Sequence, residues 1–110
     1  MRLIITIVII AIHMAASAAI EARATSGPGC LYVVNVANWD RLNMRARPSA
    51  RSPVVDRLKQ GAHGILHLER TCGPKSRPWG QRWCRIKHYN GDRVTTGYVK
   101  ARYVRDSDCP

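Results

Sequence analysis

Four cysteines, Cys30, Cys72, Cys84 and Cys109, carry the most definite chemistry in this 110-residue chain. Cysteine thiolates attack electrophiles or hold metals, and thiols in an oxidising compartment pair as disulfides. A zinc site is not expected, because no Cys-x-x-Cys spacing is present. The carboxylates Asp40, Asp56, Glu69, Asp92, Asp106 and Asp108 form no motif for paired acid–base work; Asp106 and Asp108 stand closest, in a polar tail. There is no Gly-x-Ser-x-Gly, no His-Glu-x-x-His and no phosphate-cradling Gly-Lys-Ser/Thr. His63, His67 and His88 are scattered, and the last two stand in phase with apolar neighbours, as half-buried structural histidines do. The chain reads as non-catalytic, with no metal and no cofactor.

Charge is the next constraint. From Thr25 onward 16 lysines and arginines face 6 acids, a net charge of +10, and most of the cations are arginine. Such a surface attracts anionic polymers over long range and in a salt-dependent way. Nucleic acid, acidic envelope polymers and anionic lipid all qualify by charge alone. The stretch LNMRARPSARSPV concentrates Arg45, Arg47 and Arg51 around two prolines. Those arginines either grasp a ligand or keep a loop solvated.

The elements that must position these residues begin after a leader. A short basic start, the apolar run LIITIVIIAI and a small-residue exit read as a secretory signal peptide. Cleavage is expected after Ala24, with Ala18 as the alternative; uncleaved, residues 3–20 would anchor the chain in a membrane. Either way the rest faces outward, in the periplasm or secreted. Residues 25–30 read as a flexible lead-in and 31–110 as one domain. A domain of this size buries a small core and usually needs staples. Four cysteines in an exported chain predict two disulfides, with three pairings open.

Beyond the lead-in the apolar pattern has period two and no sustained helical period. Strands are expected over 31–37, 41–44, 54–61, 64–72, 83–89 and 95–105, with a hairpin turn at Asn90-Gly91-Asp92. Pro48 and Pro53 make 46–53 a long loop, and 73–82 is a second one. The fold class is small all-β, with five or six short strands closing into a barrel to avoid exposed edges.

The order of motifs resembles a bacterial SH3-like (SH3b) domain. Leu42-Asn43-x-Arg45 leads to Pro48-Ser49, then come Val55, Leu58 and Gly61, Trp83 and Ile86, Gly97-Tyr98-Val99 and Tyr103-Val104. Tyr98 replaces a tryptophan usual in the family, and the loop between Cys72 and Cys84 carries extra basic residues and Trp79. The resemblance implies an SH3-like barrel in which hairpin neighbours and adjacent chain ends pair Cys72 with Cys84 and Cys30 with Cys109. It also implies a binding module for cell-wall or envelope polymer, often peptidoglycan, working through a loop-lined groove.

Residues of the right type for that groove are Trp79, Trp83, Tyr98 and Tyr103 with Arg45, Arg47 and Arg51. Aromatic faces suit sugars or peptide segments, and arginine forks suit carboxylates. Trp83 and Tyr103 have a plain alternative as core or rim packing, as their strand phase suggests. The competing functional reading is a secreted cationic protein that binds anionic surfaces or a protein partner without such a groove. No specific nucleic-acid partner is expected, since the arginines lack the interleaved exposed aromatics of a single-strand platform. A monomer is expected.

Overall fold

A computed structural model describes residues 29–61 and 63–110. The expected signal peptide, residues 1–24, lies outside the described residues. Seven strands alternate with turns: β1 (Gly29–Val33), β2 (Leu42–Arg45), β3 (Val54–Leu58), β4 (Ile65–Leu68), β5 (Trp83–Asn90), β6 (Arg93–Lys100) and β7 (Val104–Ser107). They form one antiparallel sheet in the order β3-β2-β6-β5-β4-β1-β7.

Period-two patterning explains which side chains go in. Along β5, Cys84, Ile86 and His88 are buried while Trp83, Arg85 and Lys87 lie on the other face. In β2, Leu42 and Met44 point inward and Asn43 and Arg45 do not. Leu31 and Val33 of β1, Leu58 of β3, Leu66 and Leu68 of β4, Val99 of β6 and Val104 of β7 complete one core. The hydrogen-bonded ladder ends at β3 on one side and β7 on the other. Because both ends drive side chains into the same core, the sheet rolls up as an SH3-like barrel, closed by packing.

Several boundaries differ from the sequence reading, each for a local reason. Gly29 and Cys30 belong to β1, paired with β4 and β7, and are not part of a flexible lead-in. That strand ends at Val33, well short of residue 37, because Asn35 takes a left-handed conformation (φ 60°) and turns the chain away. The closing stretch 95–105 is two strands, so the total is seven. A 3-10 turn over Ala101–Tyr103 divides it, held by the Ala101 amide donating to the Arg82 carbonyl at 2.9 Å. This turn carries the chain from its pairing with β5 to its pairing with β1.

The β5–β6 hairpin closes through Gly91-Asp92, with Gly91 at φ 64° and Asn90 opposite Arg93. β2 crosses β6 in a single register pair, Arg45 with Tyr98. Gly97 permits that crossing: a Cβ there would stand 2.6 Å from the Arg45 carbonyl oxygen and 3.1 Å from both Met44 Cγ and Val55 Cγ2.

Two disulfides staple the roll. Cys30–Cys109 joins β1 to the C-terminal tail across 79 residues, and Cys72–Cys84 closes the 73–82 loop across 12. In the chain-entropy account they contribute roughly 4–5 and 3 kcal/mol respectively, a large share of the stability of so small a domain.

One polar cluster is built into the core. His88 is only 5% exposed, and its Nδ1 lies 2.7 Å from Asp56 Oδ2 while its Nε2 meets the backbone carbonyl of His63. The pair fastens the edge strand β3 to the centre of the sheet. Burial alone would raise the Asp56 pKa, but hydrogen bonds from His88, the Arg57 amide and Thr95, with the charge of His88, bring it below the ordinary carboxylate value. Burial also lowers the pKa of His63.

Both groups bind protons less readily folded than unfolded, so their contributions are full at neutral pH and fade on acidification. His63 loses its share as pH falls below about 6.5, and Asp56 loses its share below about 4. Asp56→Asn is expected to cost about 1–3 kcal/mol at pH 7 and to flatten the acid limb of a urea-melt series between pH 6 and 2. An acid limb as steep as that of the parent would show that Asp56 does not carry the effect. Gly97→Ala is expected to destabilise by about 1–3 kcal/mol through overpacking, read as a lower denaturation midpoint.

Candidate functional site

The outer face of β5, β6 and β2 gathers most of the candidate residues. Register places Trp83 beside Lys100, Arg85 beside Tyr98, and Tyr98 beside Arg45. Cross-strand partners share a face, so aromatic and cationic side chains alternate over this surface. Lys100 Nζ sits 5.2 Å from the centre of the Trp83 ring, and the Arg85 guanidinium 5.8 Å from that of Tyr98. These are cation–π distances, and each cation covers part of a ring without burying it.

Two open clefts flank Trp83, which contributes to both. The first, about 390 Å³, lies between Trp83 and Tyr103 on one side and the 34–41 loop on the other, with Arg41, Arg45 and Lys100 as its cations and Asp40 as its acid. Its loop is well fixed. The Val34 amide donates to the Tyr103 carbonyl at 2.8 Å, Asn35 Nδ2 donates to the Arg102 carbonyl at 2.9 Å, and the Val36 amide donates to Gln60 Oε1 at 3.0 Å. A left-handed, non-glycine residue at Asn35 is backbone strain of the kind that recurs beside binding sites.

The second cleft, about 340 Å³, lies between the outer face and the disulfide loop, with Trp83, Tyr98, Pro48 and Pro74 as walls. Arg70, Arg77 and Arg85 are its charged residues. The loop is pinned at its base by Cys72–Cys84 and by reciprocal hydrogen bonds between Gly73 and Trp83 at 2.8 and 2.9 Å. Arg82 braces it from inside, donating from Nε to the Arg77 carbonyl at 2.8 Å and from Nη2 to the Lys75 carbonyl at 3.2 Å.

The candidates named from sequence divide between these surroundings. Arg45, Trp83 and Tyr103 line the first cleft, and Trp83 and Tyr98 the second. Arg47 and Arg51 are exposed and line neither. Trp79 packs against the core beneath Arg82, whose guanidinium lies 5.9 Å from its ring centre, and it lines neither cleft.

The structure adds residues that sequence reasoning passed over. Trp39, 87% exposed, stands on the loop that walls the first cleft. It was hidden inside Asn38-Trp39-Asp40, which reads simply as a turn. Lys100 and Arg85 share the strand phase of Trp83, and that phase is the signal that finds them. Arg70 and Arg77 come from loops, where no periodicity points to a cleft. Among the described residues no group of three or more histidine, cysteine or acidic side chains is placed to hold a metal.

The arginine-rich loop between β2 and β3 is compact. The Ala46 amide donates to the Pro53 carbonyl at 2.9 Å, and Arg45 Nη1 donates to the Ser52 carbonyl at 3.1 Å. Ser52, 2% exposed, accepts from the Arg47 amide at 3.0 Å and donates to the Arg47 carbonyl at 3.1 Å through one hydroxyl.

A family model described as Bacterial SH3 domain matches residues 40–105. No curated protein and no solved structure matches the chain.

Ser52→Ala removes both hydroxyl bonds of a buried side chain that ties the loop together and is expected to cost about 1–3 kcal/mol. Faster amide exchange at Arg47 and a lower melting midpoint are the readouts. A midpoint and exchange rate equal to the parent's would show that the loop closes without the hydroxyl.

Proposed function

The chain belongs to the bacterial SH3 domain family, and on that premise we propose that it is an exported, non-catalytic module that recognises cell-wall or envelope polymer through the first cleft. Domains of this family are binding modules, and two disulfides fit an extracellular or periplasmic compartment. The observation that carries the reading is the combination of Trp83 and Tyr103 with Arg41, Arg45 and Lys100 around one open cleft, with the exposed Trp39 on the loop that walls it. Aromatic faces take up the apolar faces of sugar rings or peptide segments, while guanidinium and ammonium groups meet carboxylates. Trp39 has almost no packing of its own to lose, so its replacement probes ligand contact without disturbing the core.

The net charge supports a second reading, in which the protein coats any anionic surface without using the cleft. Salt separates the two. Cleft binding combines apolar contact with charge and survives screening, whereas diffuse attraction does not.

Retention on purified peptidoglycan, on DNA and on lipopolysaccharide, each across a salt series, is the test. The expected outcome is retention on peptidoglycan at high salt, weakened roughly 3- to 10-fold by Trp39→Ala, as loss of one aromatic contact implies. Equal retention on all three materials, lost together by moderate salt and indifferent to Trp39→Ala, establishes the second reading instead.

A further inference from the structure

The second cleft differs from the first in one respect: it has cations and no anion. Arg70, Arg77 and Arg85 face it, and no carboxylate lines it. Glu69, the acid next to Arg70 in sequence, is held elsewhere, 3.0 Å from His67 Nδ1 and 3.7 Å from Lys87 Nζ. Arg85 spends one N–H on the Tyr98 hydroxyl, at 3.3 Å, and keeps its other donors. The guanidiniums of Arg70 and Arg77 have no hydrogen-bond or ion-pair partner among the described residues. Three arginines set around half-apolar walls repel one another, and those walls concentrate their field within the cleft.

We propose that this cleft is a binding site for a phosphorylated sugar, with the phosphate held by Arg70, Arg77 and Arg85 and the ring laid against Trp83 and Tyr98. The inference rests on the chain being a binding module but not on wall-polymer recognition by the first cleft.

Charge selects phosphate over carboxylate. A carboxylate balances one of three cations, whereas a phosphomonoester brings roughly −1.5 to −2 and three acceptor oxygens. Arginine forks meet those oxygens in pairs. Size and shape select a phosphate that carries a body. About 340 Å³ is in the range of small-molecule sites, and two aromatic rings and two prolines give a bare ion nothing to contact. The loop that brings Arg77 is fixed before any ligand arrives, by Cys72–Cys84, the Gly73–Trp83 bridge and the Arg82 brace. The backbone needs little further ordering on binding, and the cost that remains is that of fixing the exposed Arg70 and Arg77 side chains.

The test titrates the full exported chain with glucose 6-phosphate, inorganic phosphate, glucuronate and glucose, at physiological salt, by heteronuclear NMR. Glucose 6-phosphate is expected to saturate, with shifts at Arg70, Arg77, Tyr98 and the Trp83 indole, and to bind at least tenfold tighter than glucuronate or inorganic phosphate. Glucose alone is expected to leave the spectrum unchanged. The double variant Arg70→Gln/Arg77→Gln is expected to weaken glucose 6-phosphate tenfold or more. Arg93→Gln/Arg105→Gln removes the same charge from the hairpin tip and β7, away from the cleft, and is expected to change affinity less than twofold.

Equal loss in the two double variants would reduce the effect to bulk charge and overturn the site. So would glucuronate binding as tightly as glucose 6-phosphate, or no saturable shift with any probe. Peptidoglycan retention by Arg70→Gln/Arg77→Gln reports separately on the first cleft. Failure here with retention intact removes the phosphosugar site and leaves the wall-polymer reading standing.

Discussion

The close approach of two backbones at Gly97 is the constraint on which the outer face and its two clefts depend. β2 meets β6 in one register pair, and a side chain at Gly97 would occupy the space of the Arg45 carbonyl. With hydrogen there, β2 lies close enough to drive Met44 fully into the core. The same crossing sets Arg45 against Tyr98 and swings the 46–53 loop to the edge of the outer face. From that position Pro48 reaches the second cleft while Arg45 and Ala50 reach the first. A single missing methyl thus links core packing to the shape of both clefts. The close contact also explains why no substitution there is conservative.

The two disulfides divide the remaining work. Cys30–Cys109 fixes the chain end to β1, next to the edge strand β7. This tie matters because the ladder does not close, and the roll depends on both ends of the sheet keeping their grip on a small core. Cys72–Cys84 instead serves the surface. It holds an extended loop against Trp83, and Trp83 becomes the shared wall of two clefts with different charge balance. One carries an acid among its cations, and the other carries arginines alone. A loop free to move would blur that difference, since Arg77 is placed only by the loop's own bracing.

How much of this was legible in the sequence follows from where periodicity operates. Alternation in WCRIKHY assigns Cys84, Ile86 and His88 inward and Trp83 and Arg85 outward, as the structure has them, because a half-buried strand leaves one face to the core. The hairpin at Gly91 was legible from the turn chemistry of Asn90-Gly91-Asp92, and the SH3-like order of motifs from its resemblance to the family. Boundaries governed by non-local contacts were not. The break at Ala101–Tyr103 depends on the Arg82 carbonyl, 19 positions earlier, and the early end of β1 on a left-handed Asn35 tied to Arg102. Of the site, strand residues were readable and loop residues were not. Trp79, named from sequence for the groove, packs on the core, while Trp39, inside an ordinary turn, is the ring left in solvent.

The arginine-rich stretch shows what a guanidinium does in a domain with few acids. Arg45 donates to the Ser52 carbonyl, Arg82 to those of Arg77 and Lys75, and Arg102 to that of Gly80. Each ties a loop through a backbone carbonyl, with five fixed donors on a rigid fork. A carboxylate partner would tie a loop equally well but would cancel the charge. A carbonyl leaves it in place. Arginine therefore shapes the loops of this small barrel while preserving its positive field, and the absence of matching acids beside Arg70 and Arg77 is part of the same design. Loop-bracing and cleft-lining arginines differ here in their partners rather than in their charge. Arg45 does both, bracing its loop with one N–H while the rest of its fork borders the first cleft.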